Sequence, residues 1–111
     1  MKKNSFFKVE ILIMLIIYQK DCYGYEIATT IAKESNGILE LKEGAMYPVL
    51  HRLMDAGYIT SYDEIVSKKI RVYYHIEEKG IEYLKFLIED FRSKYQAIDN
   101  IIEKVGEIHR N

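Results

Sequence analysis

The stretch Gly44-Ala45-Met46-Tyr47-Pro48-Val49-Leu50-His51-Arg52-Leu53-Met54-Asp55-Ala56-Gly57 decides the reading of this chain. Val49, Leu50, Leu53 and Met54 recur at helical spacing and give a helix over about residues 44–56 its inward face. Pro48 fits because it lies in the first turn, where a missing N–H removes only the earliest intrahelical bond. Gly57 takes the left-handed stop position. Lys42 stands at the entrance, Tyr47 and His51 fall on the outer face, and Arg52 follows one position on.

Upstream, residues 6–20 read as a helix with Phe6, Phe7, Val9 and an apolar run over 11–18, so nearly apolar all round that it must be buried on several sides. Residues 21–24 break it. A second helix follows over about 25–35, with Ile27 and Ile31 inward and Asn36-Gly37 as its stop, and residues 38–41 form a short extended piece. Downstream, residues 58–62 and 70–76 read as two strands, the second alternating Ile70, Val72, Tyr74, Ile76 against Arg71, Tyr73, His75. The polar stretch 63–69 connects them as a projecting tip that carries Lys68 and Lys69.

The last third has the clearest period. Ile81, Ile88, Tyr95 and Ile102 alternate with Leu84, Phe91, Ile98 and Val105 in steps of three and four, as the a and d positions of a heptad repeat. A helix over 78–108 would be about 46 Å long at about 1.5 Å per residue. That exceeds what the small domain before it can cover, and a second copy of the chain, using the same patch about a two-fold axis, is the expected cover. Folding back on its own domain is the alternative.

With 111 residues the chain is sized for one domain, and 49% hydrophobic content excludes disorder as its main state. The net charge of −1 offers a polyanion no overall attraction, so any such site must be local. Lys2, Lys3, Lys8 and Lys20 outnumber Glu10 near the N-terminus, and Lys68, Lys69 and Arg71 gather on the hairpin. The apolar run at 11–18 is far short of the roughly 18 residues needed to span a bilayer, and no targeting segment is read, so a cytoplasmic protein without membrane association is expected. Lone Cys22 cannot form an intramolecular disulfide; it is a packing residue or a redox sensor. His51, His75 and His109 lie on different elements and suggest no metal site. There is no phosphate loop, nucleophile elbow or HExxH motif, so the chain is read as a non-enzyme without cofactors.

Helix, helix, short strand, helix and hairpin is the order of a winged helix-turn-helix. The fold class is therefore α+β, mostly α: residues 1–76 form the winged helix and residues 77–111 a long C-terminal dimerisation helix, in one compact unit. Such a fold presents its third helix to the major groove of double-stranded DNA, with cations beside it where phosphates pass. A winged helix also serves as a protein-interaction adaptor, and that alternative stands beside the DNA reading.

Tyr23-Gly24-Tyr25-Glu26-Ile27, the run Glu43 to Leu50, Arg52-Leu53, Gly57-Tyr58-Ile59 and Tyr73-Tyr74 before Gly80 resemble, in order and spacing, the PadR family of bacterial transcriptional regulators. The resemblance covers about residues 6–105 and looks like the family's short branch with one terminal helix. It implies a homodimeric repressor that binds a pseudo-palindromic operator and often responds to a small aromatic compound. It implies DNA contacts from Tyr23, Lys42, Ala45, Met46, Tyr47, His51, Arg52, Lys68, Lys69 and Arg71. Tyr47 would reach a phosphate or base edge, or else pack as an amphipathic ring; Lys68, Lys69 and Arg71 would grip phosphate, or else keep the tip soluble. Ala45 and Met46 stand where the family often has a hydroxyl residue and leucine. Phe91 matches the tryptophan that stacks on drugs in multidrug-binding relatives, so Phe91 and Tyr95 are the candidate effector residues.

Overall fold

The computed structural model describes residues 6–108; Lys2, Lys3 and His109 of the sequence reading lie outside them. The elements run α1 (Val9–Gln19), β1 (Cys22–Tyr23), α2 (Gly24–Glu34), α3 (Glu43–Asp55), β2 (Ile59–Val66), β3 (Lys69–Ile76) and α4 (Glu78–Val105). The three strands form one antiparallel sheet in the order β1-β3-β2. This is the expected mostly helical winged helix with a long C-terminal helix.

Because α1 is apolar on nearly every side, it lies at the centre. Ile13, Met14 and Ile17 are fully buried, and α1 touches α2, α3, α4 and β3. It starts at Val9, later than the apolar residues suggest. Phe6 and Phe7 precede it and set their rings edge-on to Phe91 of α4. Their apolar character reports ring contact with another helix and not helical backbone.

Both stops fall where glycine and asparagine tolerate positive φ. At the end of α2, Asn36 (φ 55°) and Gly37 (φ 78°) turn the chain, and Gly37 N–H donates to the Ala32 carbonyl. After α3, Gly57 (φ 80°) does the same, with Tyr58 N–H donating to the Leu53 carbonyl. The extended residues 38–41 stay outside the sheet. Leu41 is buried and pins the segment, while the third strand is Cys22–Tyr23, which pairs with Tyr74 and Tyr73 of β3.

The hairpin is longer than its apolar residues indicate. β2 and β3 pair without interruption from Ile59↔Ile76 to Val66↔Lys69, and only Ser67 and Lys68 form the turn, both at positive φ (51° and 66°). The charged stretch expected as a loop is therefore mostly strand. Beyond Tyr74 the hairpin leaves the core, and with both faces in solvent the outer part of β2, Ser61 to Val66, carries no alternation of apolar and polar residues that would mark it as strand.

Leu84 and Leu87 of α4 are buried in the same core as α1, while Ile81, Ile88 and Phe91 are half-buried against it. Leu84, expected in a dimer seam, is thus a core residue of its own chain, because the first half of α4 packs on α1. Past Phe91, the side chains of Tyr95, Ile98, Ile101, Ile102 and Val105 stand 46–65% exposed. Among the described residues no helix is long and apolar enough to cross a membrane.

Gly80 sets how closely the start of α4 approaches the link between α3 and β2. A Cβ there would collide with the backbone carbonyl of Tyr58 and with Ile76. Gly80→Ala gains about 1 kcal/mol of helix propensity but loses more through the clash, for a net destabilisation of about 2 kcal/mol in urea unfolding.

Candidate nucleic-acid interface

Met46, Val49, Leu50 and Leu53 follow i, i+3, i+4, i+7 and are all buried, which phases α3. Met46, expected at the DNA face, is a core residue with no exposed surface. The opposite face carries Ala45, Tyr47, Pro48, His51 and Arg52 in solvent, with Lys42 as the exposed residue preceding the helix. Ala45 and Arg52 look toward Lys8 and Glu10 at the start of α1. Tyr47 leans the other way, toward the first residue of α2.

That lean depends on Gly24, where a Cβ would strike the Tyr47 hydroxyl. Tyr47, Glu43, Tyr23 and Arg71 line one recess between α3 and the sheet. Partial burial, and then the neighbouring Glu43 carboxylate, raise the Tyr47 hydroxyl above the usual phenol pKa, so it is a neutral hydrogen-bond donor. Arg71 holds its guanidinium carbon 4.3 Å from the centre of the Tyr23 ring. The structure therefore brings Tyr23, Tyr47 and Arg71 together; Lys68 and Lys69 sit apart, at the hairpin turn.

The outer face of the sheet holds a polar group that the sequence does not reveal. The Tyr62 hydroxyl donates to Asp21 Oδ2 at 2.7 Å, and His75 Nδ1 lies 2.8 Å from Asp21 Oδ1. The hydrogen bond to Asp21 raises the His75 pKa against a smaller opposing effect of burial. Desolvation acts against the Asp21 carboxylate, but the hydrogen bonds from His75 and Tyr62 prevail and hold its pKa low. Cys22, beside them in sequence, is buried; burial, with Glu26 adding, pushes its thiol up to about 11, which suits packing rather than redox chemistry. Among the described residues no group of three or more His, Cys, Asp or Glu is placed to hold a metal ion.

The two effector candidates lie on the far side of α1. Phe91 lines an open apolar cavity of about 270 Å³ with Phe7, Leu12, Leu15 and Ile88, and Arg92 stands at its edge. Tyr95 stacks on Phe91 with ring centres 6.3 Å apart.

A braced helix, an outward tyrosine in its first turns and an arginine-bearing hairpin beside it define a winged helix-turn-helix of the gene-regulatory type. The chain belongs to the PadR-like family of transcriptional regulators, whose family model matches residues 12–86. It is similar to a PadR family regulator from Clostridium difficile at 33% identity, over 84% of this chain and 96% of that one, with a TM-score of 0.72. A PadR-like regulator from Bacillus cereus is 31% identical over 89% of this chain and 93% of that one, with a TM-score of 0.75. Bacillus subtilis PadR, solved in complex with operator DNA, shares the fold at 23% identity and a TM-score of 0.67, over 72% of this chain and 45% of that one.

The Asp21–His75 pair makes stability depend on pH. His75 has a raised folded-state pKa, so its contribution is complete below about pH 6.5 and is lost above it, as pH rises through the raised folded-state value; Asp21, lowered, contributes fully above about pH 3.8 and loses its contribution as pH falls through its depressed folded-state value. His75→Gln should therefore lower Tm most between about pH 4 and 6.5, with the deficit shrinking by about pH 8 in thermal melts.

Proposed function

We propose that this chain is a cytoplasmic, homodimeric repressor that binds a specific DNA operator and is released by a small aromatic compound. The observation that carries the DNA reading is the convergence of Tyr47, Arg71 and Tyr23 beside an exposed α3 face. In this reading α3 enters the major groove, with Tyr47 on a base edge or phosphate and Lys42, His51 and Arg52 along the flanking backbone. Ala45 lets the helix approach closely. Lys68, Lys69 and Arg71 meet phosphate from the hairpin. Family membership and the operator complex of Bacillus subtilis PadR support it.

Support for a homodimer comes from the second half of α4, whose row of exposed apolar side chains is too large to suit a monomer's surface. A two-fold pairing there, with Tyr95, Ile98, Ile102 and Val105 meeting their counterparts and Ile81, Ile88 and Phe91 nearer its edge, would set two α3 helices about one DNA turn apart, on a pseudo-palindrome. The apolar cavity at Phe91, continuous with Tyr95, suits a planar aromatic effector, and its place against α1 and α4 would let a ligand alter the spacing of the two halves.

Duplexes enriched from a random pool should bind at least about a thousandfold more tightly than shuffled versions in fluorescence anisotropy, and more weakly as salt rises. Replacing Lys68, Lys69 and Arg71 together by alanine should reduce the log–log salt slope by up to about three contacts of about 0.9 each. Failure to enrich any sequence would favour the protein-adaptor reading instead. Light scattering should give twice the 13.1 kDa chain mass, and Ile98→Glu with Ile102→Glu should give the monomer; a wild-type monomer at micromolar concentration would overturn the dimer.

A further inference from the structure

The strand register places three tyrosines in one row across the sheet. Tyr23 of β1 is paired with Tyr73 of β3, which is paired in turn with Tyr62 of β2. The Tyr62 and Tyr73 rings stack at 5.8 Å and 15°, and Tyr23 meets Tyr73 edge-on at 5.5 Å. One end of the row is tied down, because the Tyr62 hydroxyl donates to Asp21. The other end carries the Arg71 guanidinium over the Tyr23 ring.

Arg71 lies between two attractors. Its cross-strand partner on β2 is Glu64, an exposed carboxylate, while its diagonal neighbour on β1 is the face of Tyr23. Pairing with Glu64 would neutralise the cation and draw it to the far edge of the hairpin. Held over Tyr23, it keeps its charge free and lines the recess with Tyr47. We infer that Tyr23 is a positioning residue: backed by Tyr73 and Tyr62, it holds Arg71 away from Glu64 and aims the guanidinium at a DNA phosphate beside α3. The inference rests on the DNA-binding reading and reassigns Tyr23 from a direct DNA contact to one made through Arg71.

The full-length protein is titrated with a random-sequence duplex of about 30 base pairs, long enough for two half-sites, at several salt concentrations. Arg71→Ala and Tyr23→Leu should each weaken binding about tenfold and lower the salt slope by about 0.9 per site. Tyr23→Phe, which keeps the ring, should bind as wild type. Adding Glu64→Gln to Tyr23→Leu should restore most of the loss, and adding Arg71→Ala to Tyr23→Leu should cost nothing more than Arg71→Ala alone. Should Tyr23→Leu fail to fold, pentafluorophenylalanine at position 23 keeps the shape, reverses the charge on the ring face and should reproduce the loss. If Arg71→Ala weakens binding while Tyr23→Leu and the pentafluorophenylalanine variant bind as wild type, or if the Tyr23 and Arg71 losses add, the positioning role is wrong and the DNA reading stands. If Arg71→Ala changes nothing, the wing contact and the positioning role both fall. If wild type binds no duplex, the DNA reading itself fails.

Discussion

A helix with almost no polar side has to be enclosed, and the enclosure of α1 is the condition on which the other elements depend. Ile13, Met14 and Ile17 have no stable place except between the three other helices and β3. Once they are covered, α2 and α3 take their mutual angle, β3 becomes the strand that the core leans on, and the first half of α4 is held along one side. In a chain this small a single core must serve all of these contacts, so α2, α3 and the base of the hairpin are all positioned through α1.

The same core explains why the wing looks as it does. Ile59, Tyr74 and Ile76 anchor the base of the hairpin, and beyond them the strands are held only by their own ladder and by side chains on the outer face. That face is organised by the hydrogen bonds that converge on Asp21 and by the tyrosine row. Asp21 lies in the short link between α1 and β1, so the polar face is tied back to the central helix through the backbone.

Much of this was legible in the sequence. Helical periodicity found all four helices, Asn36-Gly37 and Gly57 found two of the ends, and the alternation in β3 found the hairpin. Met46 was also legible: it stands four residues before Leu50 and three before Val49, and this helical phase, taken over the family position, puts it inside. Other features were not. A two-residue strand such as Cys22–Tyr23 has no period to detect, and the outer part of β2, lacking a core to face, shows none either. The recess and the tyrosine row bring together residues up to about 50 positions apart in sequence, through a strand order and register that no local pattern encodes.

The division of α4 has a mechanical consequence. Its first half is bolted to the core and its second half is bare, with no proline or glycine between Ile81 and Val105 to let the two turn separately. The helix is therefore a drive shaft, and whatever surface the bare half engages is geared to the reading head at a fixed phase. One residue inserted near position 93 would rotate the two ends by about 100° relative to each other, whereas seven would nearly restore their alignment while lengthening the shaft by about 10 Å. Any change of length that is not close to a whole number of helical turns would therefore turn a different face of the bare half toward the same partner surface.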